Sequence, residues 1–353
     1  MYRLHESALP ADFQFPADLE KLGYVINDRD QVRSLKNPEQ EFNFFISKNE
    51  RMNAVNREAH NTCIRSEIQA RVLESSMKLT NLPLGTPATK PHIPIYTSTN
   101  IATCDRLIVY IGESWQDLGV FAWRTIGQES IAAGSILDFI HTTQSASPDN
   151  PGILIANTGQ LLWYRGGGRA VTQTTWMALP RQWAVSPPME IDEEKNRVPG
   201  HRDPQEHVAS IFNDVIPKMC KKDVAIDVIG MGDGGPIVAE YLQANWKTWK
   251  GQVRAAAIGS GPMWIGEKVA EGEFKNFWEE HTRAYLQSDE PVGTSLSGRE
   301  DFGCNCYSAG QNEVLERVMP VAYKDMLMFF ELVKDVPGYH ELPEMTAAGD
   351  VDG

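Results

Sequence analysis

The chain has 353 residues, of which 42% are hydrophobic, so it can bury a substantial core in one large domain or two smaller ones. Its formal net charge of −14 argues against a protein that, without partner subunits, binds nucleic acid non-specifically, because affinity for phosphates depends on lysine and arginine. Five scattered cysteines argue against a disulfide framework, and "CNC" at 304–306 has no second pair to complete a zinc site. We therefore predict no metal site.

The N-terminal stretch "MYRLHESALPADF" has neither the basic flank nor the apolar core of a signal peptide, and no segment is as apolar and long as a membrane span. We expect a nuclear or cytoplasmic protein that is not secreted. Residues 1–14 are predicted to form an N-terminal tail.

Apolar spacing predicts alternating helices and strands in the first half of the chain. Ile64, Ile68 and Val72 recur every four residues, which predicts a one-faced helix over 56–79. The continuous apolar run "CDRLIVYIGES" predicts a strand that ends at Gly112 and is buried on both faces. A helix in "GSILDFIHTTQ" and another buried strand in "PGILIANTG" follow, which gives a strand-helix-strand unit.

The clearest helix signal covers residues 201–222. Asp203 suits the N-cap, Pro204 the first helical position, and Glu206 the acidic position of a capping box. Lys221 and Lys222 suit the negative end of the helix dipole.

The second half of the chain continues the alternation. A strand "VAIDVI", a glycine-rich corner, a helix from Pro236 to Trp246 and a strand "VRAAAIG" follow one another. This order predicts an α/β fold with three α/β/α layers, a mostly parallel sheet and an N-terminal extension. We read 184–203 and 287–301 as surface loops and Pro320 as the start of the last helix. One domain is expected over 15–335, with a flexible tail over 336–353.

The corner "GMGDGG" at 230–235 admits three interpretations. Gly230, Gly232 and Gly235 match the G-x-G-x-x-G spacing of a dinucleotide site, although the next strand ends without the acidic residue that should bind the ribose. A hydrolase elbow would place its nucleophile at Gly232, which has no side chain, or at Asp233, with Met231 where a small residue is needed. The third interpretation is a tight turn without chemistry.

Other polar residues have a functional and a structural interpretation. Ser114 follows a strand and is a candidate displaced nucleophile, but a serine there more often satisfies loop backbone groups. His201 and His207 flank a helix start, where we favour an exposed cap pair over a base or a ligand. Asp227 interrupts an apolar strand, and we expect it to lie at a sheet edge or pair locally.

The stretch "RGGGR" at 165–169 offers a glycine turn between Arg165 and Arg169, which could receive a phosphate or a carboxylate. Trp163 and Trp176 lie close by in sequence. Tryptophan and arginine dominate protein-binding hot spots, so these four residues form a candidate interaction loop, with core packing as the alternative for the tryptophans.

The order and spacing of several segments resemble the argonaute-binding protein domain. The segments are "FPADLEKLGYVIND", "NERMNAVNREAHNTCIRSEI", "LIVYIGESW", "PQEHVASIFNDVI", "VIGMGDGGPIVAEYL" and "CYSAGQNEV". That family is similar to α/β-hydrolases. It occurs in a subunit of the fission-yeast argonaute small-RNA chaperone complex, in an animal relative, and at the C-terminus of fungal class II histone deacetylases.

The resemblance implies a degenerate hydrolase site. Some members keep an "HSxGG" elbow, whose serine corresponds to Gly232 and whose histidine corresponds to Met231. The degenerate elbow then comprises Gly230, Met231, Gly232, Asp233, Gly234 and Gly235. The histidine of an oxyanion-type turn corresponds to Ile111, ahead of Gly112, and "SAGQNEVLERV", where a catalytic histidine would lie, contains none.

The resemblance thus implies no catalytic residue and no cofactor. The expected function is a protein-interaction scaffold in an argonaute chaperone or histone-deacetylase complex of RNA-mediated heterochromatin silencing. From the net charge and the lack of a long apolar segment, we expect no direct contact with nucleic acid or membrane. The alternatives are a hydrolase that uses Asp233 or Ser114, and a nucleotide binder.

Overall fold

The computed structural model describes residues 9–146, 149–259, 266, 269 and 271–343. Its strands are β1 (Tyr24–Ile26), β2 (Val32–Ser34), β3 (Met77–Leu82), β4 (Ile93–Ser98), β5 (Arg106–Gly112), β6 (Gly152–Asn157), β7 (Leu162–Tyr164), β8 (Arg169–Val171), β9 (Ala225–Met231), β10 (Val253–Gly259), β11 (Thr282–Leu286), β12 (Ser295–Leu296) and β13 (Asn305–Ser308). Its α-helices are α1 (Leu19–Leu22), α2 (Glu50–Glu74), α3 (Trp123–Gln128), α4 (Ile136–Ala146), α5 (Gln173–Ala178), α6 (Pro204–Ser210), α7 (Ile216–Met219), α8 (Gly234–Ala244), α9 (Trp246–Trp249), α10 (Glu273–His281), α11 (Arg299–Phe302) and α12 (Val318–Asp335).

A nine-stranded sheet in the order β12-β13-β11-β10-β9-β5-β6-β4-β3 forms the centre of the molecule. The pairings from β13 to β6 are parallel, and β12, β4 and β3 join the edges in antiparallel pairings. The N-terminal extension that precedes the sheet contains α1, β1, β2 and α2. The expected fold class, an α/β fold with a mostly parallel sheet and an N-terminal extension, is confirmed.

The central strand β5 shows how the sheet is covered on both faces. Leu107, Val109 and Ile111 join one apolar cluster, while Ile108 and Tyr110 join the other. Because successive side chains of a strand point to opposite faces, a strand with no polar alternation must be covered twice. Residues of α6, α8, α9 and α10 contribute to the first cluster and residues of α2, α4 and α12 to the second, which gives the three layers.

The helix expected over 201–222 is interrupted. Helix α6 is followed by a π-helical segment, Ile211–Val215, before the short α7. Pro217 has no N–H to donate to the carbonyl of Asn213, so the hydrogen-bond pattern of a regular α-helix is broken at this position. The π-helical turn accommodates the break.

Of the two hydrogen bonds that the predicted capping box would form at the start of α6, one is present. The Asp203 carboxylate accepts a hydrogen bond from the Glu206 N–H at 2.7 Å. The Glu206 carboxylate accepts instead from the Arg202 N–H, one residue ahead of the cap, at 3.0 Å. Both bonds satisfy N–H groups near the helix start, where no intrahelical acceptor exists.

Several other bounds differ from expectation. Helix α8 begins at Gly234 rather than Pro236, and α12 begins at Val318 rather than Pro320, because proline is tolerated throughout a first turn whose N–H groups have no intrahelical partner. The helix expected over 56–79 is α2, and residues 77–79 already belong to β3. The stretch 287–301, read as a loop, contains β12 and the start of α11.

The ends of the described chain pack against the body. Asp12 forms an ion pair with Arg51 at 2.6 Å, in the stretch expected as an N-terminal tail. Glu341 is buried and contacts Arg283 at 2.5 Å, in the stretch expected as a C-terminal tail. The domain bounds stay a prediction, and residues 1–8 and 344–353 lie outside the described residues.

Candidate functional site

The corner between β9 and α8 has the backbone of a hydrolase elbow. Strand β9 ends at Met231, and α8 begins at Gly234. Gly232, at the apex, has a φ of +54°, which side-chain-bearing residues rarely adopt, and its N–H donates to the Gly259 carbonyl at 2.7 Å. This sharp strand-to-helix turn is the geometry that presents a nucleophile in α/β-hydrolases.

The other glycines of the corner allow strand and helix to approach closely. A Cβ on Gly230 would lie 2.7 Å from the Gly235 Cα, and a Cβ on Gly234 would lie 2.6 Å from the Ile111 carbonyl oxygen. Both distances are far below van der Waals contact. These glycines therefore have a packing role that is independent of any reaction.

Glu113 occupies the space above the apex. A Cβ on Gly232 would lie 2.7 Å from the Glu113 Cβ and 2.9 Å from its Oε2. Glu113 follows β5 directly and is 9% exposed. The position from which a nucleophile would project is thus filled by a carboxylic acid from the neighbouring strand.

Glu113 lies in a cluster of acidic groups. Burial raises its pKa to about 7, and the nearby Glu316 and Asp233 add to the rise, against the lowering effect of a hydrogen bond with Gln116. The Gln116 Nε2 also donates to the Glu316 Oε2 at 2.9 Å. The negative charge at this corner would repel a pyrophosphate, so the glycine spacing alone does not make a dinucleotide site.

Asp233 forms hydrogen bonds with the loops that follow β5 and β6. Its Oδ1 accepts from the Ser114 N–H at 2.9 Å, and the Thr158 hydroxyl lies 3.5 Å from the same oxygen. The Thr158 hydroxyl also donates to the Gly112 carbonyl at 3.0 Å. The two candidate nucleophile positions, Ser114 and Asp233, are therefore joined to each other through this loop.

The residues that correspond to the hydrolase histidines lie in the core. Ile111 is fully buried in β5, and Met231 is buried so that a Cβ on Gly259 would meet its methyl carbon and would lie 2.6 Å from its sulfur. A Cβ on Gly112 would meet the Tyr110 ring at 3.0 Å, so this turn also has a tight packing requirement.

The described histidines make their side-chain contacts away from the corner. His201 and His207 are fully buried with their Nδ1 atoms 2.9 Å apart, so the expectation of an exposed pair is wrong. Burial lowers the pKa of His201 to about 4 and that of His207 to about 3, because a charged imidazole would lose its hydration. His60 pairs with Asn61, and the ring of His92 packs against Trp163.

Asp227 is the centre of a buried ionic cluster rather than an edge residue. It is fully buried, and its Oδ2 lies 2.7 Å from Arg106 Nε and 2.6 Å from Arg254 Nη2, on the strands at either side. Arg106 also contacts Glu331 of α12. Sequence reasoning missed this cluster because each charged residue stands alone in its own strand.

The candidate interaction loop is only partly accessible. Arg165 is exposed at the tip of the β7-β8 hairpin, and Arg169 is partly exposed. Trp163 and Trp176 are only 4% and 1% exposed, so the expectation that they form a partner-facing surface is wrong. The Trp176 Nε1 donates to the Met189 carbonyl at 2.8 Å, which satisfies the indole in the core.

Neither a metal cluster nor a membrane span was found in the described part of the chain. No three His, Cys, Asp or Glu side chains there are grouped so as to hold a metal ion. None of its helices combines the length and apolarity that crossing a bilayer requires. All five cysteines are free thiols.

Comparisons with known proteins give a family and several distant structures. The family model of the Arb2 domain matches residues 15–292. The chain is similar to a histone deacetylase from Saccharomyces cerevisiae, with 14% identity and a TM-score of 0.47 over 77% of this chain and 96% of that one. It is also similar to the histone deacetylase Clr3, with 13% identity and a TM-score of 0.44 over 78% of this chain and 39% of that one.

An epoxide hydrolase is among the similar structures as well. The epoxide hydrolase CorEH has 9% identity and a TM-score of 0.34, over 73% of this chain and 98% of that one. The search of curated proteins found no match.

Proposed function

This chain belongs to the Arb2 domain family, and we propose that it is a non-catalytic protein-interaction domain on a hydrolase-like frame. One observation carries the proposal. The apex of the elbow is Gly232, and the space into which a nucleophile would project holds the Glu113 side chain. A site of this shape has lost the attacking group and the room for it.

The remaining polar groups do not restore the usual chemistry. A serine or aspartate nucleophile forms a covalent intermediate that a second group must activate or resolve, most often a histidine. Ser114 and Asp233 contact each other through a backbone hydrogen bond, and the described histidines make their side-chain contacts elsewhere. This arrangement supports a structural role for the corner.

The biological setting is proposed from family membership. Arb2-type domains are expected in argonaute small-RNA chaperones and in class II histone deacetylases of fungi. We place this chain in such a complex, with a nuclear role in RNA-mediated heterochromatin silencing. The formal charge of −14 favours contact with proteins over direct contact with nucleic acid.

Two measurements on the full chain test the proposal. Affinity purification with mass spectrometry should recover argonaute or histone deacetylase subunits, and purified protein should not hydrolyse small esters such as p-nitrophenyl acetate above background. Ester hydrolysis that Asp233→Asn or Ser114→Ala abolishes, while the fold survives, would show that the domain is an enzyme instead. Exposed Asp214→Asn is the matched control, since among the described residues Asp214 forms one ion pair, with exposed Lys218.

A further inference from the structure

A cavity of about 230 Å³ lies beneath the β7-β8 hairpin, remote in sequence from the corner at 230–235. Its wall is built from α2, β3, β4 and β8. Polar side chains line much of it: Arg65, Gln69, His92, Tyr96, Gln160 and Arg169. We propose that this cavity binds a small oxyanion, a phosphate or a carboxylate, with Arg169 as the charged contact and the Tyr96 hydroxyl as a second donor.

The charge of Arg65 is already balanced by groups of the protein. Its guanidinium contacts the Glu58 Oε1 at 2.5 Å and the Asp117 Oδ2 at 3.1 Å, and the Thr62 hydroxyl at 2.9 Å. These partners neutralise Arg65 and hold it as a fixed wall of the cavity. A bound anion would therefore interact mainly with the second arginine.

Arg169 is less fully paired. Its Nη2 lies 3.6 Å from the Glu58 Oε1, an oxygen that Arg65 already approaches more closely. The Arg169 side chain is 42% exposed and lines the opening of the cavity. Burial and then the neighbouring positive charge of Arg65 lower the pKa of Arg169, against the raising effect of the carboxylates of Glu58 and Asp117.

Tyr96 offers a donor that the protein leaves unused. Tyr96 is only 3% exposed, and its hydroxyl forms no hydrogen bond with the described residues. A phenol at the wall of a cavity can donate instead to water or to a ligand. Tyr96 lines the same cavity as Arg169.

The size of the cavity sets the ligand class. About 230 Å³ is below the roughly 300–1,000 Å³ of pockets for drug-sized ligands. A phosphate or a small carboxylate fits, and both match the planar donor pair of a guanidinium. In the sequence, the glycine turn at 165–169 is one possible anion site, whereas only the last residue of that turn, Arg169, lines this cavity.

The test uses the full chain with inorganic phosphate and with acetate, each against chloride at equal ionic strength. Calorimetric titration should give saturable binding, and the thermal midpoint should rise with ligand because the anion binds the native state. Arg169→Met should weaken binding at least about tenfold, the size expected for a charge-assisted contact. Arg165→Met, at the exposed end of the same hairpin, should leave it unchanged.

A second variant protects the test against misfolding. Tyr96→Phe removes only the hydroxyl and keeps the ring, and it should weaken binding by roughly three- to tenfold. Equal loss in Arg165→Met and Arg169→Met, or no saturable binding of either anion at about ten times a Kd of 1 mM, would overturn the proposal. The ratio of the phosphate and acetate affinities distinguishes the two anions.

Discussion

The apex of the corner gives the sharpest prediction. Gly232→Ser restores the residue type that a hydrolase elbow would carry, yet we expect it to destabilise the protein and to add no esterase activity. The new Cβ would lie 2.7 Å from the Glu113 Cβ and 2.9 Å from Oε2. The backbone would also have to hold a side-chain-bearing residue at a φ of +54°.

The two effects can be sized separately. Forcing atoms into a packed site destabilises by about 1–3 kcal/mol. A non-glycine residue in the left-handed region costs about 1–2 kcal/mol. We expect a loss of about 2–5 kcal/mol in the free energy of unfolding, measured from the urea midpoint at constant m-value.

Two glycines provide matched controls. Gly85 has a φ of +84° with nothing within 4 Å of its added Cβ, so Gly85→Ser measures the backbone effect alone. Gly251 has open space and no positive φ, so Gly251→Ser should change stability by under about 1 kcal/mol. The excess loss in Gly232→Ser over Gly85→Ser then measures the contact with Glu113.

A double variant tests the cause directly. Glu113→Gly removes both the Cβ and the carboxylate that the new side chain would meet, whereas Glu113→Ala would leave the Cβ contact in place. Combining Glu113→Gly with Gly232→Ser should recover about 1–3 kcal/mol relative to additivity. The reasoning is refuted if Gly232→Ser is as stable as Gly251→Ser, or if it hydrolyses p-nitrophenyl acetate.

Three further outcomes follow from buried charge. Asp227→Asn should lower the free energy of unfolding by about 3–5 kcal/mol in urea titrations, because Arg106 and Arg254 lose their shared buried partner, and a loss below about 1 kcal/mol would contradict this. The neutral pair of His201 and His207 has a folded pKa below its unfolded value of 6.5. Its stabilising contribution is therefore present above pH 6.5 and is lost as pH falls towards 4, so His207→Gln should flatten the fall in stability between pH 7 and pH 5. Glu113 has a folded pKa raised to about 7, so the folded state takes up a proton before the unfolded state does, and this contribution to stability grows as pH falls from 7 to 4.5. Glu113→Gln removes the contribution, so the free energy of unfolding should fall more steeply with acid in the same titration.

The sequence predicted the parts of the fold that depend on local patterns. The unbroken apolar run of β5 correctly indicated a strand covered on both faces, and Asp203 correctly indicated a helix start. These signals are local because burial on two faces and capping are each decided within a few residues. The interruption at Pro217 was missed because the apolar spacing of the helix continues across it.

The candidate site was predicted less completely. The empty apex at Gly232 was visible in the sequence, but Glu113 was not considered, because its contact with Gly232 joins residues far apart in the chain. The one available signal was its position as the first polar residue after a buried strand. The burial of His201 and His207 was missed for a related reason, since their charged neighbours in sequence suggested a solvated helix start.

The close approach of Gly230 to Gly235 has a consequence for how such chains are recognised. These glycines are required by the packing of β9 against α8, so a search that relies on them alone will retrieve chains with and without a nucleophile at the apex. The informative positions are the apex residue and the first side chain after the adjacent strand. Glycine at the first position, with a bulky side chain against it at the second, describes a corner from whose apex no side chain projects.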